Sequence, residues 1–303
     1  MTTPVPFYRE VLGALTRADV PFLVGGAYAL CRYIGVHRAT KDLDLMVCEE
    51  DWPAAAQALR ARGIVTKLVF PHWLGKAMAL RAQVDIIFNG GNHLTPVTRD
   101  WFVHAVPEPV LGFQTVLCPV EELLWSKSFV MERERFDGAD VQHLLRAFAD
   151  RLEWRRLIDR FAGHEGLLRA HLMFFEYIYP GEYRRIPGWV VPAVEAAIAA
   201  APPAPANLCR GTRLSRAQYL VDIEEWGYVD DRLPPHGSMS DRDWLRWTNA
   251  IDTKQSRVRP GRRTSVPKPA AAAAAASPDS SDPADRSAAA ADDRKSPASC
   301  ASQ

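Results

Sequence analysis

The chain has 303 residues, of which 48% are hydrophobic, and its formal net charge is +1 at pH 7. That length and apolar content are enough for a sizeable core, expected in two units. The near-neutral balance excludes a chain that binds polyanions over its whole surface. The charge is uneven, because residues 254–303 hold nine basic and five acidic side chains, whereas the remainder holds 28 and 31.

The five cysteines are scattered, and none forms a C-x-x-C pair. Without paired spacing a zinc site is not expected, and the thiols are interpreted as buried groups in a reducing compartment. The N-terminal stretch MTTPVPFYRE has no charged-then-apolar pattern, and no uncharged apolar run reaches membrane-spanning length. We therefore expect a cytoplasmic protein with no membrane partner.

The first elements alternate between helix and strand. Apolar residues at helical spacing predict a helix over Val5–Leu15. The stretch VPFLV predicts a short buried strand that ends at Gly25 and Gly26, and a short helix over Ala27–Tyr33 follows. The stretch DLDLMV predicts the next strand.

Further strands are predicted before residue 118. Asp51 is a candidate N-cap for a helix over WPAAAQALRARG, with Pro53 in its first turn and Gly63 at its end. The stretches IVTKLVF, AMALR and VDIIF are strand candidates, and VLC is a weaker one. The strands between 65 and 88 lie too close together for helical crossovers, so the sheet is expected to be mixed.

From Pro119 the pattern becomes helical. The stretch PVEELLWSKSFVMERER predicts one helix, FDGAD interrupts it, and helices resume over VQHLLRAFADRLEWRRLIDRFA, EGLLRAHLMFFEYIY and VPAVEAAIAAA. Ser215 and Gln218 form a candidate capping box before YLVDIEEW. After residue 254 the chain is low in complexity and has almost no large apolar residues, which predicts disorder.

These patterns predict an α/β fold with a small mixed sheet, followed by helices. The expected units are an α/β core over 1–118, a helical region over 119–253 that is a candidate acceptor-binding region, and a disordered tail over 254–303.

Two aspartates in one strand are the first chemical signal. Asp42 and Asp44 are two residues apart and therefore face the same side, while Leu43, Leu45 and Val47 face the other and can enter the core. Two ionised carboxylates on one face repel each other and normally need a cation between them. Oxygen ligands favour Mg²⁺ or Mn²⁺. The alternative is that these are ordinary charges on the solvent face of an edge strand.

Other residues strengthen the metal hypothesis. Asp85 is a lone acid among apolar residues in QVDIIF. Gly25 and Gly26 lie at a strand end, where the backbone can approach a phosphate closely. Arg38 and Thr40 precede the acidic strand, where a cation and a hydroxyl can meet a polyanion.

The order of these motifs resembles the DNA polymerase β-like nucleotidyltransferase superfamily. The matching pieces are Gly25-Gly26, the stretch RATKDLD over residues 38–44, and Asp85. The small bacterial branch that includes AbiEii-type toxins and minimal nucleotidyltransferases is the most similar. The stretch CPVEELLWSK resembles that branch's helix with a lysine, here Lys127. The stretch RERFDGADV resembles its later helix motif, with matching positions at Arg135, Asp137 and Asp140. The resemblance covers residues 5–148, and the glycine in FDGADV departs from the charged residue often found there.

The resemblance implies an enzyme that transfers a nucleoside monophosphate from an NTP to an acceptor hydroxyl. It implies that Asp42, Asp44 and Asp85 are the catalytic, metal-binding residues for Mg²⁺ or Mn²⁺. It also implies that the triphosphate binds at Gly25 and Gly26. The further nucleotide-binding candidates are Arg38, Thr40 and Lys127.

Alternatives stay open for single residues. Arg38 can instead pair with a surface acid, Lys127 can be a solvated lysine on an amphipathic helix, and Asp140 can be the N-cap of the helix after Gly138. The tryptophans of the helical region are interpreted as core rather than as a stacking platform.

Alternatives also stay open for the function. The acceptor can be tRNA, a protein hydroxyl or a small molecule such as an aminoglycoside, and a toxin with an antitoxin partner fits the branch. A second hypothesis is a non-catalytic nucleotide- or nucleic-acid-binding module on the same fold. A third is an interaction protein whose basic tail docks on nucleic acid.

Overall fold

The structure is a computed structural model that describes residues 4–36 and 42–250. Arg38, Thr40 and the tail over 254–303 lie outside the described residues. The described part is an α/β fold with a mixed sheet, as the sequence predicted, and this sheet has seven strands. No helix within it is long and apolar enough to cross a membrane.

The large sheet has the strand order β3-β4-β5-β2-β1-β7-β6. Its strands are β1 (Leu23–Val24), β2 (Leu43–Met46), β3 (Val65–Phe70), β4 (Leu74–Ala79), β5 (Ala82–Ile87), β6 (Val106–Val110) and β7 (Phe113–Leu117). β2 runs parallel to β5 and β1 runs parallel to β7, while the other neighbours are antiparallel. The short connections within β3-β4-β5 explain why those strands are antiparallel. A separate two-stranded sheet joins β8 (Leu208–Cys209) to β9 (Val229–Asp230).

The helices before residue 161 have these bounds: α1 (Val5–Arg17), α2 (Gly26–Ile34), α3 (Trp52–Arg60), α4 (Arg99–Val103), α5 (Val120–Ser128), α6 (Gly138–Phe148) and α7 (Trp154–Arg160). The later ones are α8 (Glu165–Ile178), α9 (Val190–Ala200), α10 (Leu220–Glu224) and α11 (Asp241–Asn249). The sequence pattern did not predict α4, α11, β6, β8 or β9. α4 has five residues, β8 and β9 have two each, and β6 carries two prolines.

The alternation in β2 places its apolar side chains in the core. Leu43, Leu45 and Val47 are fully buried, and so are Val84 and Ile86 of the neighbouring β5. Because side chains two residues apart share a face, the aspartates between them lie on the opposite face of both strands. One continuous hydrophobic cluster joins this sheet to α5, α6, α8 and α9. The predicted unit boundaries at 118 and 253 stay predictions.

The predicted single helix over 119–135 is wrong. α5 ends at Ser128, and Met131 and Phe136 form an isolated antiparallel bridge. The Glu132 N–H donates to the Arg135 carbonyl at 2.8 Å, and the Met131 N–H donates to the Leu214 carbonyl at 3.0 Å. Residues far along the chain thus satisfy the backbone of this turn, and a local pattern cannot report such contacts.

Candidate active site

The two parallel strands β2 and β5 bring Asp44 and Asp85 directly side by side. The two residues are register partners, and Asp85 is also the partner of Lys76 on β4. The Gly25 N–H donates to the Asp44 carbonyl at 2.9 Å and so extends the row to the end of β1. These residues form a row across β4, β5 and β2 to the end of β1, and we call it the carboxylate row. Its members are Lys76, Asp85, Asp44 and Gly25.

Gly26 is required by its conformation and by its neighbour. Its φ is +54°, in the left-handed region that favours glycine. A Cβ atom at this position would lie 1.6 Å from Asp44 Oδ2. Gly26 also begins α2, so the positive end of the helix dipole meets the Asp44 carboxylate. The glycine pair predicted to approach a phosphate thus borders the carboxylate row directly.

Asp44 lies in an unfavourable environment for a charge. Burial raises the pKa of Asp44 to about 6, and the neighbouring Asp85 adds to the rise, while Arg135 and Lys127 oppose it. An acid whose pKa is raised by burial and by another acid is typical of a functional site. A divalent cation at this position would remove both causes.

Asp85 is partly compensated. Burial raises its pKa, and Lys76, whose Nζ lies 2.7 Å from Asp85 Oδ1, opposes the rise. Asp42 is half-buried, and its charge acts on both other aspartates. The buried Tyr8 has its pKa raised to about 12, first by burial and then by charges that include the three aspartates. All three predicted acids therefore act on one region.

A second group of charges lies on the opposite wall. Lys127 of α5 is 6% exposed, and its Nζ donates to Asp137 Oδ2 at 2.9 Å and to Asp140 Oδ2 at 2.7 Å. Arg135 donates two hydrogen bonds to Asp137, at 2.9 and 2.8 Å. Burial alone would raise the pKa of Asp137, but these cations outweigh it and hold the pKa below its ordinary value. We call Lys127, Arg135, Asp137 and Asp140 the lysine cluster.

Two alternatives for the lysine cluster are wrong. Lys127 is not a solvated lysine, because it is buried between two carboxylates. Asp140 is not the N-cap of α6; that position is occupied by Asp137, and Asp140 lies in the first turn of the helix. Of the described positions that carried the resemblance, Gly26, Asp44, Asp85, Lys127, Arg135 and Asp137 line one cavity, although they are far apart in the chain.

Both groups line one cavity of about 360 Å³. Asp44, Asp85 and Gly26 lie on the sheet side, and Lys127 and Arg135 lie on the helix side. This volume falls in the range of small-molecule and cofactor sites. The helix side also holds the carboxylates of Glu132, Glu134 and Asp137. Its cations can meet phosphates, and the carboxylates of the sheet side suit a divalent ion.

Within the stretch NLCRGTRLSRAQ, to which the sequence pattern gave no functional role, residues 212–216 line the cavity. Arg213 is buried; its Nε donates to Asp231 Oδ2 at 2.7 Å and its Nη1 donates to the Asn92 carbonyl at 2.9 Å. The Ser215 hydroxyl donates to Glu132 Oε2 at 2.6 Å and accepts from the Gln218 N–H at 3.1 Å. The predicted capping box is wrong, because the N-cap of α10 is Tyr219 and carries no side-chain cap. Residues 213–216 line the cavity, and we call them the 213–216 wall.

Several other expectations have mixed outcomes. Trp125 and Trp154 are buried as predicted, whereas Trp189 and Trp226 are 42% and 57% exposed. Asp51 occupies the N-cap position of α3 but makes no capping hydrogen bond, and its carboxylate pairs with Arg99 instead.

The donor set fits a divalent metal that shares its coordination with substrate. Within residues 4–36 and 42–250, no group of three or more His, Cys, Asp or Glu side chains is arranged as a complete metal site. Mg²⁺ is commonly held by one or two carboxylates together with substrate phosphates and water. Asp44 and Asp85, paired in register, can supply those carboxylates, with Asp42 nearby.

Comparison with known proteins gives weak structural matches. No protein-family profile matches the chain, and neither does any curated protein. The chain is similar to the crystal structure of ANT(2'')-Ia in complex with adenylyl-2''-tobramycin, with a TM-score of 0.40 and 13% identity over 55% of this chain and 98% of that one. It is also similar to the lincomycin-bound lincosamide antibiotic adenylyltransferase LnuA, with a TM-score of 0.35 and 16% identity over 48% and 96% of the two chains. Function is therefore inferred from the geometry of the site.

Proposed function

We propose that this protein is a metal-dependent nucleotidyltransferase that moves a nucleoside monophosphate from an NTP to an acceptor hydroxyl. The observation that carries the proposal is the register pairing of Asp44 with Asp85 beside Gly26, in a cavity whose other wall holds Lys127 and Arg135. The motif resemblance to the polymerase β-like superfamily supports the same reaction.

Each residue of the site has a separate role in the proposed reaction, set by its chemistry. Asp44 and Asp85, with Asp42, would hold Mg²⁺ or Mn²⁺, which neutralises phosphate charge when bound. The start of α2 at Gly26 presents backbone N–H groups and a positive dipole end, which suit a triphosphate. Arg135 lies near enough to lower the pKa of Asp44 and can also counter phosphate charge. Asp85 would hold the metal beside the acceptor hydroxyl and can accept the proton of that hydroxyl, a role that the resemblance implies.

The test is nucleotidyl transfer by the full chain. The protein is incubated with each of the four α-³²P-labelled NTPs and Mg²⁺, in turn with total RNA, with a protein extract and with a small-molecule fraction. We expect label to move to one acceptor class. Asp44→Asn and Asp85→Asn should each lower the rate about 100-fold or more, because each removes charge at the point of transfer.

The matched control is Asp159→Asn, which removes an exposed carboxylate on α7. It should keep the wild-type rate. Transfer that survives in Asp44→Asn, or that falls equally in the Asp159 control, would refute the assignment of the site. Metal-dependent NTP binding with no transfer to any of the three acceptor classes would instead favour the binding-module hypothesis.

The toxin hypothesis uses the same variants. If the protein acts as a toxin, its induced expression should stop bacterial growth, and Asp44→Asn should restore growth at equal protein level. Equal growth arrest by wild type and variant would separate any toxicity from nucleotidyl transfer.

A further inference from the structure

Lys76 is a cation within the carboxylate row, and no motif in the sequence marked it. β5 lies between β4 and β2, so Asp85 has Lys76 as its register partner on one side and Asp44 on the other. Register partners share a face of the sheet, and neighbouring strands are about 4.8 Å apart. The Lys76 side chain thus reaches Asp85 from β4, whereas Asp44 reaches it from β2.

One oxygen of the Asp85 carboxylate is held by Lys76. The Lys76 Nζ donates to Asp85 Oδ1 at 2.7 Å, and the two side chains are only 19% and 17% exposed. A hydrogen bond between charged groups is about twice as strong as one between neutral groups, and burial reduces its screening by salt. This bond restrains the orientation of the carboxylate. An ammonium also repels a divalent cation, so a metal shared by Asp44 and Asp85 is expected on the β2 side of Asp85.

Lys67 on β3 shows the contrast. It is the register partner of Lys76 and so lies on the same face of the sheet, one strand further from Asp85. Lys67 is exposed, and within the described part of the chain it forms no ion pair. An exposed lysine of this kind is an ordinary solvated side chain. Lys76 differs from it in burial and in its carboxylate partner, and both differences indicate a role at Asp85.

We propose that Lys76 is a positioning residue for the transfer reaction, which holds the Asp85 carboxylate in place and restricts the divalent cation to the side of Asp85 that faces Asp44. This inference rests on the proposed function, in which Asp85 holds the metal beside the acceptor hydroxyl. Two effects of opposite sign follow. The charge of Lys76 weakens metal binding, because like charges repel. Its hydrogen bond speeds transfer, because a small misplacement of a reacting group is costly.

The experiment measures metal binding and transfer separately in the full chain. Calorimetry with Mn²⁺ alone gives the metal affinity. Single-turnover transfer at saturating Mn²⁺ gives the rate, with the NTP and the acceptor fraction on which wild type is active. We expect Lys76→Met to bind Mn²⁺ about tenfold more tightly, because a repelling charge one strand away is removed. The same variant should transfer about 10- to 100-fold more slowly, because Asp85 is no longer held in its orientation.

Lys76→Arg separates the charge of Lys76 from its geometry. It keeps the positive charge but places it on a longer side chain. It should therefore bind Mn²⁺ as wild type does and regain only part of the transfer rate that Lys76→Met loses. If Lys76→Arg binds Mn²⁺ as tightly as Lys76→Met, charge repulsion is not the cause and the inference is wrong. If Lys76→Met does not fold, Lys76→Gln takes its place and should show the same tighter Mn²⁺ binding, because it also lacks the charge.

Lys67→Met is the matched control. It removes a lysine from the same face of the sheet, one strand further out, and should change neither Mn²⁺ affinity nor transfer. Wild-type Mn²⁺ affinity in Lys76→Met would overturn the inference, and so would a wild-type transfer rate in that variant. Equal changes in Lys67→Met would also overturn it, because they would reflect the net charge of the sheet face. If wild type neither binds Mn²⁺ nor transfers label, the proposed function itself is refuted.

Discussion

The two charged groups that face each other across the cavity have opposite electrostatics. In the lysine cluster, two carboxylates share a buried lysine, and Arg135 holds the pKa of Asp137 below its ordinary value. In the carboxylate row, burial and Asp85 raise the pKa of Asp44 to about 6. One group is compensated by the fold itself. The other is incompletely compensated, which is the state expected of a site that receives a cation from outside.

The difference separates a structural role from a binding role. Lys127 joins α5 to the start of α6 and is therefore expected to hold the helix wall in place. The Asp44 carboxylate is buried and is repelled by Asp85, which lowers the stability of the folded state. We therefore expect its role to be functional rather than structural. Lys127 was predicted to bind nucleotide. That role stays a prediction, while the observed contacts show that its ammonium is already paired with two carboxylates.

The largest effect on stability is expected from the lysine cluster. Lys127→Met should lower the free energy of unfolding by about 3–5 kcal/mol, because it leaves buried carboxylates without their shared cation. Urea unfolding measures the loss. Lys67→Met, at an exposed position on β3, is the matched control and should change stability by less than about 0.5 kcal/mol. Equal losses for the two variants would show that the lysine cluster has no structural role.

A smaller loss is expected at the glycine beside the carboxylate row. Gly26→Ala introduces a Cβ against Asp44 Oδ2 at a positive φ, whereas Gly63→Ala has a similar φ of +75° and no atom within 4 Å. The Gly63 variant should lose about 1 kcal/mol from backbone strain alone, and the Gly26 variant about 2–3 kcal/mol. Thermal unfolding of both variants isolates the contact with Asp44. If the two losses are the same, Gly26 does not constrain the carboxylate.

The smallest expected effect is a pH-dependent gain in the stability of the Asp44→Asn variant relative to wild type. The folded-state pKa of Asp44 is raised, so the native protein binds more protons than the unfolded chain between about pH 4 and pH 6, and stability falls as the pH rises through that window. In EDTA, Asp44→Asn should match wild type near pH 4 and exceed it by about 1–2 kcal/mol at pH 7.5. Denaturant unfolding at the two pH values measures the difference.

Added Mg²⁺ gives a second comparison of the stability of wild type and Asp44→Asn. Added Mg²⁺ should stabilise wild type at pH 7.5 and have no such effect on Asp44→Asn, because the variant lacks a metal-binding carboxylate. If Asp44→Asn is no more stable than wild type in EDTA at pH 7.5, the carboxylates of Asp44 and Asp85 do not repel each other measurably. A variant that gains as much from Mg²⁺ as wild type would place the metal elsewhere.

Some elements of the structure could be predicted from the sequence and others could not, and the difference has physical reasons. The helix α1 and the strands β2 and β5 were predicted because their apolar periods are regular and their apolar side chains fill the core. The strand predicted over AMALR is displaced toward the C-terminus from β4, and β3 was predicted although it has no buried side chain. The end of α5 at Ser128 was missed, because the following turn is held by the Leu214 carbonyl and by side chains of the 213–216 wall. The signal for that wall was a run of Arg, Ser and Thr between glycine and an amphipathic segment, which is distinctive but does not name its partner.

The sequence by itself determined the local features of this protein: alternation placed Asp42 and Asp44 on one face, and the glycine pair ended the preceding strand beside them. Only the tertiary structure decided the contacts between distant segments. It put Asp44 and Asp85 in register on parallel strands, buried Lys127 between two carboxylates and brought residues 213–216 to the same cavity. Periodicity is a property of neighbouring residues, whereas strand register and side-chain pairing depend on the packing of the whole core.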